Sequence, residues 1–159
     1  MTTTLTAPAT AIHVVTWETP AEMLAAWPVL HQWYPDMTEA AYRTWLQQIQ
    51  HQNYRQFACI TDDGQCVGIV GLWLMQRLWC GVQADVDNFV VDANWRSQGV
   101  GKRLLATCER FAKANNAKLI VLDSYVDNPA SHRFYFREGY TIRGYRFVKP
   151  LQGQDIWHQ

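Results

Sequence analysis

The 159-residue chain has no excess of charge of either sign, 14 lysines and arginines standing against 14 aspartates and glutamates. Without a global positive field it has no means of gathering nucleic acid or anionic lipid over a broad surface, which leaves room only for a local basic patch. Long hydrophobic runs are missing too. The longest, Cys66 to Met75, is too short to span a bilayer. The opening residues, MTTTLTAPATA, have neither a basic start nor an apolar centre and do not read as a secretory signal. Cys59, Cys66, Cys80 and Cys108 show no CxxC or other metal-ligand spacing. Each lies among apolar residues, where free cysteine acts as a small hydrophobe, so the thiols read as reduced and structural, pointing to the cytoplasm. No histidine–serine–acid or thiol–histidine constellation is evident, which argues against covalent catalysis.

What the chain does have is tryptophan, eight in all. Large rings bury much apolar area, so most should be core or interface, and the remainder are candidates to line a pocket. The length suits one domain able to bury about two-thirds of its unfolded surface without disulfides or metals. Residues 1–11 lack periodicity and read as a loose tail; residues 12–159 read as that single domain.

Ile12 to Trp17 alternates like a strand. Thr19-Pro20-Ala21-Glu22 is a capping box with proline at the first helical position, predicting a helix to about Leu30. Thr38 is a second cap, for an amphipathic helix carrying Ala41, Trp45, Leu46 and Ile49. Tyr54 to Thr61 and Cys66 to Arg77 predict a hairpin closed by Asp62-Asp63-Gly64-Gln65. Gly81 to Ala84 reads as a turn into a strand over Asp85 to Asp92. From Val100 the apolar residues Val100, Leu104, Cys108 and Phe111 mark one helix face. Leu119 to Leu122 suits a strand buried on both faces. Asn128-Pro129 starts a last helix that Gly139 stops, and Thr141 to Val148 predicts a closing strand.

The turn Arg96-Ser97-Gln98-Gly99-Val100-Gly101 stands out. Two residues without Cβ let the backbone approach a ligand, and the first N–H groups of the following helix have no internal partner, an arrangement that suits an anion such as phosphate. It is not a Walker loop, because Lys102 is followed by Arg103, and it lacks the GxGxxG order of a dinucleotide fingerprint. The order hydrophobic-x4-Arg/Gln-x-x-Gly-x-Gly/Ala, filled by Val91, Arg96, Gly99 and Gly101, resembles the acyl-CoA signature of the GNAT superfamily of N-acyltransferases. A second stretch, Leu122 to Asn128 followed by Phe134-Tyr135 and Gly139-Tyr140, resembles that superfamily's other motif at the expected distance. The resemblance covers roughly Cys66 to Val148. Ser131 and Ser124 depart from its usual alanine and valine, and neither change removes a required group.

The resemblance implies an α/β fold, a mixed central sheet flanked by helices on both faces in the order β-α-α-β-β-β-α-β-α-β. It implies acetyl-CoA as cofactor and direct transfer in a ternary complex. The pyrophosphate would lie on Arg96, Ser97, Gln98, Gly99, Val100, Gly101 and Lys102, with Arg103 near enough to add charge. The main chain of Phe89, Val90 and Val91 would hold the pantetheine arm and polarise the thioester. Asn128 matches a cofactor-side asparagine, although capping a helix is already sufficient reason for it. Tyr135 matches the tyrosine that protonates the coenzyme A thiolate, its reference pKa of about 10 being suited to the task.

An attacking ammonium, with pKa near 10.4, must first lose a proton. Asp85 and Asp87 are the candidate bases, two residues apart and so on one face of a regular strand; a bulge would change which faces the site. An ordered water could serve instead, and a solvated or ion-paired aspartate is the plain alternative for each. The early helices and late strands would form the acceptor side, with Trp33, Tyr34, Asp36, Glu39, Trp73, Trp79, Tyr125 and Tyr145 as candidates or simply as packing. Aromatic faces beside carboxylates suit a cation. The leading expectation is a small-molecule amine substrate, with no nucleic acid, no membrane and room for a homodimer. A protein lysine or N-terminal acetyltransferase and a non-catalytic acyl-CoA-binding module are the alternatives.

Overall fold

A computed structural model describes residues 11–151, so most of the N-terminal tail and the last eight residues lie outside the description. Strand β1 (Ile12–Trp17) leads into helix α1 (Pro20–Met23), where the Thr19 hydroxyl accepts from the Glu22 amide and the Glu22 carboxylate accepts from the Thr19 amide, as the capping box predicts. The helix does not run unbroken to Leu30. Pro28 has no N–H, and the chain tightens to a 3-10 turn at Leu24–Ala26 before α2 (Trp27–Leu30). Helix α3 (Glu39–Ile49) follows, capped by Thr38.

Strands β2 (Tyr54–Thr61), β3 (Cys66–Arg77) and β4 (Gly81–Val91) continue the sheet. Helix α4 (Val100–Ala114) then crosses over to β5 (Leu119–Leu122), and α5 (Pro129–Arg137) is the last regular element among the described residues. The sheet order is β1-β2-β3-β4-β5, antiparallel throughout except for the parallel β4–β5 pair that the α4 crossover makes possible. The turn into β4 is Leu78 to Cys80; Gly81 already belongs to the strand, which it opens at φ +82°.

Alternation along the strands feeds two cores, one on each face. On one, Phe57, Val70, Leu72, Ala84 and Val86 meet Val100, Leu104, Leu105 and Cys108 of α4, with Phe134, Tyr135 and Tyr140 packed alongside. On the other, Tyr54, Ala58, Ile69 and Val90 meet Met23, Ala26, Val29, Leu30, Tyr42 and Leu46 of α1 to α3. All four cysteines are free, Cys59 and Cys108 fully buried. Among the described residues no helix is long and apolar enough to cross a membrane.

Two expectations fail at the sheet's open side. Residues 141–150 form no strand and are exposed throughout. Their apolar phase slips at Gly144, between Ile142 and the Tyr145–Phe147 pair, so no single face can lie on the core. Beside them β5 offers an edge of only four residues, and those residues are half-buried instead of covered on both faces.

β4 carries the feature that positions the site. Opposite β3, Ile69 pairs with Val90 but Gly71 pairs with Asp87, so β4 holds one residue more than its partner. The extra residue is Asn88, at φ +48°. Up to Asp87 the strand alternates regularly, and Asp85 and Asp87 share the face that carries Trp73 and Tyr54. Beyond the bulge Phe89 turns to the α4 face and Val90 back to the α2 face.

Candidate active site

After Val91 the chain leaves the sheet. Asp92, buried, accepts from the Asn94 amide at 2.8 Å and shapes a 3-10 turn at Ala93–Trp95. Arg96 Nε donates to the Val91 carbonyl at 3.4 Å, and Gln98 Nε2 donates to the Asn94 carbonyl at 2.7 Å. Ser97 and Gly99 are both left-handed, at φ +62° and +82°. This bends the backbone so that Gly99 becomes the N-cap of α4 without a side-chain hydrogen bond to the helix. The amides of the first turn, Val100, Gly101 and Lys102, are therefore left for an outside acceptor and, with Lys102, suit a pyrophosphate, whereas the Arg103 guanidinium is turned to the Ile12 carbonyl of β1, to which it donates at 3.2 Å. The α-hydrogen of Gly101 leaves room for the ring edges of Phe89 and Phe134, each 3.4 Å from where a Cβ would stand.

Tyr135 sits on α5 between Phe89 and Tyr140, ring centroids 6.3 and 6.0 Å away. Burial pushes its phenol up to about 12, so it stays protonated across the physiological range. Asn128 caps α5 by accepting from the Ser131 amide at 3.1 Å.

On the other face the side chains close into a wall. Trp73 Nε1 donates to Asp87 Oδ2 at 3.0 Å, and the Asn88 amide donates to Asp87 Oδ1 at 2.9 Å. Tyr34 donates its hydroxyl to Asn88 Oδ1 at 3.0 Å, and the Tyr54 and Trp73 rings lie 4.7 Å apart. Burial, then the negative Asp87, then the neighbouring Tyr125 push the Tyr34 phenol up to about 12. Asp85 is half-buried and, among the described residues, makes no side-chain hydrogen bond or ion pair of its own. Its pKa is raised, first by desolvation and then by Asp123, against the opposing pull of Arg146, which pairs with Asp123.

The model of the acetyltransferase (GNAT) family matches residues 14–140. The chain belongs to the GNAT family. An aminoalkylphosphonate N-acetyltransferase of Salmonella typhimurium is 34% identical to this GNAT chain over 93 residues, 56% of the chain and 58% of the relative. The chain thus matches only a little over half the length of that relative. Among solved structures, an aminoglycoside N-acetyltransferase in complex with CoA superposes with a TM-score of 0.80 at 14% identity, covering 93% of this chain and 99% of that one. A glucosamine-6-phosphate N-acetyltransferase from Arabidopsis thaliana gives 0.72 at 15% identity, with 89% and 99% covered. These likenesses establish the GNAT fold.

Of the residues singled out in the sequence, the GNAT fold gathers Tyr34, Trp73, Asp85 and Asp87 around the bulge, leaves Tyr125 half-exposed near Tyr34, and sets Tyr135 across the sheet from them. Asp36 lies apart, with Tyr34, Met37, Thr38 and Trp45 around a depression of about 340 Å³ on the α2–α3 loop. Trp33 is partly exposed and joins neither core; Glu39 pairs with Arg43 at 2.9 Å; Trp79 and Tyr145 are largely exposed and join no wall. Sequence reasoning missed Asn88, Tyr54, Gln32 and Asp92. For Asp92 a signal existed, since an aspartate two residues before asparagine at a strand end suits an Asx turn. For Gln32 there was none.

Proposed function

We propose that this GNAT chain transfers an acetyl group from acetyl-CoA to the primary amine of a small molecule, with Asp85 as general base and Tyr135 as general acid. The carrying observation is the contrast between the two aspartates. Both oxygens of Asp87 are engaged, by the Trp73 indole and the Asn88 amide, whereas Asp85 is unengaged and holds its proton more tightly than an ordinary aspartate. A carboxylate so tuned accepts a proton from an ammonium more readily, and its neighbour is left to fix the wall.

Acetyl-CoA supplies the activated acyl group. Arg96 and the amides of Ser97 to Lys102 would hold its pyrophosphate, and the main chain of Phe89 to Val91, which lies beyond the last β5 pairing at Val86, would hold the arm. Asp85 would take one proton from the ammonium before attack; as the nitrogen–carbon bond forms and the carbon–sulfur bond breaks, the second nitrogen proton would pass to solvent, and Tyr135 would give its own proton to the departing sulfur and regain one from solvent. Tyr34, Trp73 and Tyr125 present π-faces, and Asp87 a negative charge, to an alkylammonium, contacts worth roughly 0.5–2 kcal/mol each. The activity named for the Salmonella relative, on a small amine, supports the same substrate class.

Thiol release from acetyl-CoA against a panel of small amines and lysine peptides tests the reading. Turnover with a small amine, lowered by orders of magnitude in Tyr135→Phe, is the expected result. Turnover with peptides alone would make the chain a protein acetyltransferase, and binding of acetyl-CoA without turnover in any arm would leave a binding module.

A further inference from the structure

Gln32 lies in the turn that ends α2, sixty residues from the segment it touches. Its side-chain amide makes two hydrogen bonds there. Nε2 donates to Asp92 Oδ2 at 2.7 Å, and Oε1 accepts from the Ala93 amide at 3.2 Å. Asp92 is the buried carboxylate that also shapes the Ala93–Trp95 turn, so the glutamine holds the root of the whole pyrophosphate loop. Two residues further along the same turn, Tyr34 donates to Asn88 at the bulge. Gln32 and Tyr34 therefore grip β4 on both sides of Phe89 to Val91, the strip assigned to the pantetheine arm. Burying a carboxylate is tolerable only with good donors, and here one of those donors comes from the acceptor side of the molecule. Packing alone does not require it, because an apolar side chain at 32 would fill the same space and leave Asp92 Oδ2 without that partner.

We propose that Gln32 is a positioning residue whose amide sets the spacing between the acceptor wall and the pyrophosphate turn, so that both substrates depend on it. The inference rests on the acetyltransferase reading of the site, yet the clamp has a signature that needs no substrate.

The test compares the full chain with Gln32→Leu, with Gln32→Glu, and with Gln32→Glu combined with Asp92→Asn. Amide hydrogen exchange without cofactor should quicken about tenfold in Gln32→Leu in both segments 31–38 and 93–99, and stay unchanged in β2. In steady-state kinetics the KM values for acetyl-CoA and for the amine should rise together, about tenfold, while kcat stays within about threefold. Gln32→Glu alone sets two carboxylates against each other and should be worse than Gln32→Leu. Adding Asp92→Asn exchanges donor and acceptor, restores both hydrogen bonds, and should recover most of the loss. Unchanged exchange in residues 93–99 of Gln32→Leu, or of Gln32→Glu if the leucine variant does not fold, overturns the clamp. A rise in only one KM, or no recovery in the double variant, overturns its positioning role. Failure of the parent to bind acetyl-CoA overturns the acetyltransferase reading instead, and exchange then decides the clamp alone.

Discussion

The proposed cofactor seat and the proposed acceptor wall meet at one strand but are made of different materials. The seat is main chain, a contiguous run from Arg96 to Lys102 that the left-handed Ser97 and Gly99 bend into the start of α4. The wall is side chain, drawn from the α2 turn, β3, β4 and the loop after β5, and joined by the hydrogen bonds Trp73–Asp87 and Tyr34–Asn88. The lesson is that a seat made of backbone is governed by conformation, whereas a wall made of side chains is governed by functional groups. Substitutions should sort accordingly.

Tyr135 carries the largest expected effect and belongs to neither. Replacing it by phenylalanine should lower kcat by about 10²–10³ while the acetyl-CoA Kd stays within about twofold, by stopped assays and calorimetry. A comparable loss of affinity would mean that the ring is part of the seat.

Asp85 and Asp87 divide the wall next. Asp85→Asn should cost about 10² in kcat/KM and abolish the acid limb of the pH profile, a limb that in the parent lies above the ordinary aspartate range. Asp87→Asn should instead raise the amine KM about tenfold and keep the limb. Linkage supplies a second check on Asp85. Because its folded pKa is raised, the folded chain holds a proton that the unfolded chain has released between the two values, so stability falls as pH rises through that window. Asp85→Asn removes the penalty, and its unfolding free energy at pH 7 should equal or slightly exceed the parent's, by less than about 1 kcal/mol at a half-buried site screened by solvent.

Gly99→Val is the matching break in the seat. At φ +82° a β-branched residue is strained by about 1–2 kcal/mol, and the amides should swing out of line. Acetyl-CoA affinity should fall about tenfold with the amine KM nearly unchanged.

The smallest effects should come from two glycines of β3 that point to opposite faces. A Cβ at Gly68 would stand 2.7 Å from Val100 Cγ1, and one at Gly71 would stand 2.5 Å from the Tyr54 hydroxyl oxygen. Each alanine substitution should destabilise by about 1–3 kcal/mol in urea titration. Gly68→Ala should weaken acetyl-CoA binding a few-fold through α4, and Gly71→Ala amine binding a few-fold through Tyr54. If both moved the same KM, the two-material picture would be wrong.

The same contrast explains what could be read before any coordinates. The turn from Arg96 to Gly101 was legible because a backbone site needs neighbouring residues in a fixed order. So were the capping box at Thr19, the hairpin glycine at 64 and the Asn128 cap, each a local rule. The Thr141–Val148 strand was misjudged because β propensity is local but strand pairing is not. Gln32 was invisible for a related reason: a hydrogen bond across sixty residues leaves no spacing to notice, whereas Asp92 announces only its own local turn.

Asn88 is the one residue of β4 that the sheet does not need. Remove it, and Asp87, Phe89 and Val90 fall opposite Gly71, Val70 and Ile69 in an unbroken ladder, each still facing the side it faces now. Loss of a single codon would therefore mend the ladder with β3 and at the same time strip Tyr34 of its hydrogen-bond partner. A shortened chain would trade a regular strand for a loosened wall, and an assay of turnover would report the trade more directly than thermal endurance.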